Sequence, residues 1–251
     1  MAETEKPLVY FVLGTAGSGR RAIVRELIAS GLSEGDRAAV LLSDAEPADE
    51  NDAKLPNVTR WSWTEHGTIQ GILPKEATQV FFISEALRNP VDQIEALKPW
   101  LEATGAELGR IICVVDCKLA EANPALLPWF DACVHFSDVV LLNRRESVGN
   151  KWLSDFQRRY TEQFYPCLFE MVKKDRVKNP LVVLDPVARR ISQYFEEDQE
   201  WVFEADDKDE EESDDEEEVE LKKAEDPYLE RRAGGRRVKE IPDIAKIQSE
   251  S

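Results

Sequence analysis

The sequence has few of the residues from which metal sites and catalytic triads are built. Among 251 residues there are two histidines, two methionines and four cysteines. Neither C-x-x-C nor H-x-x-x-H spacing occurs. We therefore expect no zinc site, no histidine-based triad, and thiols that stay reduced.

Long apolar runs are also missing. No run approaches the roughly 20 residues that a membrane-spanning helix needs. The first seven residues, MAETEKP, are charged and lack the apolar core of a signal peptide. These absences predict a cytoplasmic protein with no membrane partner.

The sequence also lacks an excess of Lys and Arg that could form a basic face. The net charge is −18, which argues against nucleic acid as the main partner, because phosphate binding needs clustered Lys and Arg. Of the 50 acidic residues, 17 fall in residues 196–220, beside a single lysine. Such a segment repels itself and buries too little apolar surface to fold.

This charge distribution predicts two regions. We expect a folded domain at residues 5–195 and a disordered acidic tail at residues 196–251, through which an unidentified protein partner binds. Within the tail, Trp201, Val202 and Phe203 are the residues best suited to dock on the domain.

Short apolar runs rich in Val and Ile are typical of strands that are covered on both faces. They lie at residues 8–13, 38–42, 79–83, 110–115, 138–142 and 180–184. Helical patterns occupy intervals between them, at residues 20–30, 90–103 and 150–164. The alternation predicts an α/β fold with a mainly parallel sheet and helices on both faces.

Two aromatic and two thiol residues extend this picture. Trp61 and Trp63 alternate with polar residues, which predicts a strand with one aromatic face, used for core packing or for a partner.

Cys113 and Cys117 are expected on one face of a strand as small apolar residues.

A glycine-rich segment links the first strand to the first helix. Gly14-Thr15-Ala16-Gly17-Ser18-Gly19 has the G-x-x-x-x-G frame of nucleotide-binding loops. Such loops continue with Lys, which contacts phosphates, and a hydroxyl residue, which holds Mg²⁺. Here Arg20 and Arg21 follow instead. The frame also suits a simple strand–helix turn that needs glycines for close packing. The candidate nucleotide-binding residues are Gly14, Ala16, Gly17, Ser18, Gly19, Arg20 and Arg21.

Three further segments resemble one family of P-loop proteins. "FSDVVLLNRRESV" (136–148) resembles the ADxVLLNKxD guanine-recognition segment of the CobW-type metal-chaperone GTPases, a group that includes HypB and UreG. "IICVVDC" (111–117) is similar to their VVDA strand, and "VFFISEALRNPVDQI" (80–94) to their switch segment. The resemblance implies a P-loop NTPase-like fold, GTP or GDP as ligand, and Asn143, Arg144 and Glu146 as guanine-binding residues.

The departures from the family pattern bear on activity. Arg144 replaces a Lys, and Glu146 replaces an Asp. Ala86 stands where the family has the Gly whose N–H meets the γ-phosphate. The family's GCxCC metal motif has no counterpart in residues 57–73, so the resemblance implies no zinc site here.

We therefore expect a nucleotide-binding protein with weak or no hydrolysis and no catalytic residues, with the need for Mg²⁺ left open. One alternative is a non-catalytic scaffold that keeps the fold without the ligand. Another is an active NTPase in which Arg20 replaces the loop Lys and Asp44 or Glu85 holds the metal.

Overall fold

The computed structural model describes residues 6–196 and 225–249. Its strands are β1 (Leu8–Gly14), β2 (Ala38–Ser43), β3 (Val58–Trp63), β4 (Ile69–Gly71), β5 (Gln79–Ile83), β6 (Glu107–Asp116), β7 (Val139–Asn143) and β8 (Leu168–Met171). Its helices are α1 (Arg20–Gly31), α2 (Pro90–Thr104), α3 (Cys117–Ala122), α4 (Leu127–His135), α5 (Asn150–Thr161), α6 (Pro180–Leu184) and α7 (Ile244–Ser249). No described helix has the length and apolarity to cross a membrane.

The strands form one sheet in the order β4-β3-β2-β5-β1-β6-β7-β8. All neighbouring pairs are parallel except β3 with β4. β1 therefore lies between two parallel partners, β5 and β6. The C-terminal ends of these strands meet at one edge of the sheet, which is where open α/β sheets bind ligands.

The side chains of β1 alternate between two cores. Val9, Phe11 and Leu13 pack on one face with residues of α2, α4 and α5. Tyr10 and Val12 pack on the other face with residues of α1 and α6. The predicted α/β class, with a mainly parallel sheet and helices on both faces, is confirmed.

Two local predictions were wrong. Residues 180–184 form α6 and not a strand, because Pro180 suits the first turn of a helix and the short helix packs on α1 near Gly31. A short apolar run fits a buried helix as well as a buried strand. Cys117 begins α3 instead of sharing a strand with Cys113, since Asp116 caps that helix by accepting from the Leu119 amide at 3.0 Å.

The chain after residue 224 belongs to the folded domain as far as it is described. Tyr228, Leu229 and Ile244 are buried in the core that α2 and α4 cover. Arg237 donates to Asp92 at 2.7 Å and also pairs with Glu95. The predicted tail at residues 196–251 therefore includes residues 225–249 that pack on the domain, while Trp201, Val202 and Phe203 lie outside the described residues.

Candidate functional site

The glycine loop, residues 14–19, leaves the C-terminal end of β1 and leads directly into α1. Its conformation depends on glycine. Gly17 and Gly19 have φ values of 73° and 90°, a region that other residues rarely adopt. At Gly19 a Cβ would also lie 2.6 Å from Nδ2 of Asn143. The expected P-loop NTPase-like connection from strand through glycine loop to helix is thus present.

The loop presents unused hydrogen-bonding groups. Within the described residues, the N–H groups of Gly17 and Gly19 donate no hydrogen bond, and the first bond inside α1 is from Ile23 N to Gly19 O at 3.0 Å. The hydroxyls of Thr15 and Ser18 are buried and likewise have no partner among the described groups. Buried polar groups are normally paired, so this loop is suited to an anionic ligand.

A pocket of about 460 Å³ lies in front of the glycine loop. Its other walls come from residues 45–51 of the β2–β3 loop and from residues 85–87, which follow β5. Three arginines and five carboxylates line it: Arg20, Arg21, Arg144, Glu46, Asp49, Glu50, Glu85 and Asp175. Glu46, Asp49, Glu50 and Asp175 could not be identified from the sequence, because acidic residues in loops follow no characteristic spacing.

Both arginines that follow the loop point to the same carboxylate. Arg20 is 5% exposed, and its Nη2 donates to Oε1 of Glu46 at 2.8 Å. Arg21 is also buried; it pairs with Glu46 Oε2 at 3.4 Å and with Asp52 at 3.0 Å. Burial lowers the pKa of Arg20, and the neighbouring Glu46 carboxylate opposes that shift, so the guanidinium stays charged.

Glu46 accepts a third hydrogen bond from another part of the chain. The N–H of Ala86 donates to Glu46 Oε1 at 2.7 Å. The Glu46 side chain is 9% exposed. Arg20, Arg21 and the Ala86 amide thus surround one largely buried carboxylate; we call these four groups the Glu46 cluster.

The predicted guanine-recognition residues divide into two groups. Nδ2 of Asn143 donates to the Ser18 carbonyl at 2.9 Å, and Nε of Arg144 donates to the Gly17 carbonyl at 2.7 Å. These two residues brace the glycine loop from the end of β7. Glu146 is exposed and does not line the pocket, so the structure does not bring it to the loop.

The acids considered as metal ligands are placed differently. The Glu85 carboxylate accepts from Trp63 Nε1 at 2.8 Å, and Asp44 is exposed and is not a pocket residue. Within the described residues, no group of three or more His, Cys, Asp or Glu side chains is arranged to hold a metal ion. At the end of the loop, Arg20 and Arg21 place two cations where a divalent ion would need oxygen ligands, so these residues do not fit Mg²⁺.

The remaining candidates are structural. Trp61 is buried and donates to the Ile83 carbonyl at 3.1 Å, which favours the core-packing interpretation of the aromatic face. His135 pairs with Asp226 at 2.8 Å, and His66 is exposed. All four cysteines are free and buried.

Solved structures similar to this chain include two of the YjiA GTPase. The Zn(II)-bound YjiA GTPase from E. coli matches at 13% sequence identity with a TM-score of 0.43, and a Zn(II)-bound triple mutant of YjiA matches at 15% with a TM-score of 0.45. Each match covers 72% of this chain and 61% of the solved chain, so the chain spans less than two thirds of their length. No protein-family model and no curated protein matches the sequence.

Proposed function

We propose that this chain is a CobW-like nucleotide-binding protein that holds phosphate at the glycine loop without hydrolysing it. The observation that carries the proposal is the Glu46 cluster. Arg20 and Arg21, which follow the loop where nucleotide-hydrolysing proteins have a phosphate-binding Lys and a metal-binding hydroxyl, are both paired with the protein's own carboxylate.

The case for binding rests on the loop itself. The N–H groups of Gly17 and Gly19 and the hydroxyl of Ser18, which have no hydrogen-bond partner in the part of the chain that the structure describes, lie beside the 460 Å³ pocket. Backbone N–H groups at a helix N-terminus are a general phosphate-binding arrangement. Asn143 and Arg144 hold two loop carbonyls, which keeps the loop in this conformation before a ligand arrives.

The case against hydrolysis rests on electrostatics. Phosphoryl transfer depends on cations and Mg²⁺ that neutralise charge on the leaving and transferred groups. Here the charge of Arg20 is neutralised by Glu46, and Arg21 offers only donors where a metal needs an acceptor. Asp44 and Glu85, the acids proposed to compensate, are respectively outside the pocket and hydrogen-bonded to Trp63.

Calorimetry with GTP, GDP, ATP and ADP, each with and without Mg²⁺, tests this proposal. We expect binding that does not depend on Mg²⁺ and that Gly19→Ala weakens, together with no phosphate release above background. Normal GTP turnover that Arg20→Ala abolishes would contradict the absence of hydrolysis.

A second candidate function is a non-catalytic interaction protein without a nucleotide. The observation in its favour is the acidity of the pocket, where five carboxylates face three arginines, because a surplus of negative charge opposes polyphosphate binding. An absence of heat with all four nucleotides, from protein shown to be folded, would favour this function over the first.

A further inference from the structure

We infer that Glu46 is a built-in substitute for the outermost phosphate of a nucleotide, so that the pocket takes nucleoside diphosphates in preference to triphosphates. This inference rests on the proposed function and names the class of nucleotide that the same site selects. It also assigns to Glu46 a role in specificity that the sequence motifs do not indicate.

The first argument is the position of Glu46 relative to the loop. In a G-x-x-x-x-G loop, the residue after the last glycine reaches the outer phosphates, while the loop amides hold the inner ones. Arg20 is that residue, and its guanidinium ends on Glu46 Oε1 at 2.8 Å. The carboxylate therefore lies at the outer end of the phosphate path and leaves the amides of Gly17 and Gly19 accessible to the pocket.

The second argument is the number and origin of the donors around Glu46. They come from the start of α1 and from the segment after β5, and they include two arginines and one backbone amide. A terminal phosphate, with three acceptor oxygens and a double negative charge, is suited to such donors. Glu46 accepts hydrogen bonds from the same donors with a single negative charge. Because it is part of the chain, it loses no translational or rotational entropy of association, as a free phosphate would.

The third argument is electrostatic. A triphosphate bound with Glu46 in place would bring its terminal group against a carboxylate that is 9% exposed, and like charges repel strongly where water is excluded. Bound with Glu46 displaced, it would have to break three hydrogen bonds and expose the carboxylate to solvent. A diphosphate that ends before the Glu46 cluster meets neither cost.

The test compares four proteins: the wild type, Glu46→Gln, Glu46→Ala and Glu50→Ala. Glu46→Gln keeps the size and one acceptor of the side chain while removing its charge, and it guards against loss of folding in Glu46→Ala. Glu50 lines the same pocket but is exposed. Glu50→Ala is therefore the matched control, because it removes one negative charge from the pocket without touching the cluster.

Dissociation constants for GDP and GTP, and for ADP and ATP, are measured for each protein without Mg²⁺. We expect the wild type to bind the diphosphate about tenfold or more tightly than the triphosphate, as like-charge repulsion at a buried position implies. Glu46→Gln and Glu46→Ala should lose that preference by gaining affinity for the triphosphate, and Glu50→Ala should keep it.

The possible results distinguish the inference about diphosphate selectivity from the proposal that the protein binds nucleotides. Equal affinities for the diphosphate and the triphosphate in the wild type, or an unchanged preference in both Glu46 variants, would overturn the selectivity inference and leave nucleotide binding intact. Failure of all four folded proteins to bind any nucleotide would overturn the proposed function, and the inference with it.

Discussion

Nε of Arg144 donates to the carbonyl oxygen of Gly17 at 2.7 Å, across a sequence separation of 127 residues. Asn143 makes the neighbouring bond to Ser18. The end of β7 thus holds two carbonyls of the glycine loop, while the N–H groups of Gly17 and Gly19 have no partner among the described residues. The conformation of the candidate site is therefore set by a strand on the far side of β6.

Replacement of Asn143 should weaken the loop. Asn143 is buried, and in Asn143→Asp the donor to the Ser18 carbonyl becomes an acceptor. We expect a loss of about 1–3 kcal/mol in the free energy of unfolding, the cost of an unsatisfied buried carbonyl, measured by urea denaturation. Glu146→Gln, a change at an exposed residue nearby, should stay within about 0.5 kcal/mol of the wild type. Equal effects of the two changes would refute the bracing role.

Two glycine-to-alanine changes in the loop should differ in severity. Both positions have positive φ, which costs alanine about 1–2 kcal/mol. At Gly17 nothing lies within 4 Å of the added Cβ, whereas at Gly19 the Asn143 amide lies at 2.6 Å. Gly19→Ala should therefore lower the melting temperature more than Gly17→Ala. A larger effect at Gly17 would show that the loop conformation differs from the one described.

The pair of Arg20 and Glu46 should be strongly coupled. The Arg20 side chain is 5% exposed and that of Glu46 is 9% exposed. Removing one partner of a buried pair typically costs about 3–5 kcal/mol, because a charge is left uncompensated. Arg20→Met and Glu46→Gln should each destabilise the protein, and the double variant should lose less than the sum. Denaturant titration of all four proteins gives the coupling energy. Strict additivity would mean that the two side chains do not interact in solution.

We expect residues 225–249 to detach from the rest of the domain only when the pH falls below about 4. Burial acts to raise the pKa of Asp226, but hydrogen bonds from His135, Ser192 and the Tyr228 amide hold it below its ordinary value. Because the pKa of Asp226 is lower in the folded protein than in the unfolded chain, where it is 3.8, the ionised carboxylate stabilises the fold at pH values above 3.8. That stabilisation is lost as the pH falls through the pKa of Asp226 in the folded protein. Hydrogen exchange of this segment, corrected for intrinsic rates, should therefore show protection at pH 7 and pH 5 that declines below pH 4.

Removal of the same carboxylate at neutral pH provides an independent check. Asp226→Asn should increase tryptic cleavage at the arginines of residues 231–237, because the contacts with His135 and Ser192 weaken. Glu230→Gln changes an exposed carboxylate of the same segment and should leave the cleavage rate unchanged. Cleavage at the wild-type rate in Asp226→Asn would argue against Asp226 as an anchor of the segment.

The thiols should be unreactive in the folded protein. Burial raises the pKa of Cys117 and of Cys167 to about 12 and holds that of Cys133 well above its ordinary value. Because the thiolate is the reactive form, a thiol reagent at pH 8 should label all four cysteines only after denaturation. Rapid labelling of a native cysteine would contradict its burial.

Much of the fold follows from local patterns. The runs at residues 8–13, 38–42 and 79–83 became β1, β2 and β5, and the helical pattern after the glycine loop became α1, with ends shifted by one residue or less. β1 ends at Gly14 and α1 ends at Gly31, so a glycine marks the end of each of these two elements. Residues 180–184 were misassigned because five apolar residues satisfy either period. Strands β4 and β8 have only three and four residues, too few to carry a pattern.

The candidate site was predictable only in part. The glycine frame and the resemblance in residues 136–148 led to Asn143 and Arg144, which contact the loop. Glu146, named with them as a guanine-binding residue, is exposed and does not line the pocket. Asp44 and Glu85 were the acids proposed to hold a metal; Asp44 lies outside the pocket, and the acid that pairs with Arg20 is Glu46. Asp44 and Glu46 are two residues apart in the same loop. A loop has no periodicity from which one could predict which of the two side chains points into the pocket.

The sequence by itself determined the layered α/β fold, the glycine hinge at residues 14–19 and the presence of arginines where phosphate chemistry uses Lys and a hydroxyl. Only the tertiary structure decided that those arginines are neutralised by Glu46 and that residues 225–249 complete the core. The reason is physical: a strand or a turn is specified by neighbouring residues, whereas a buried charge is specified by whichever partner the folded chain brings within hydrogen-bonding distance.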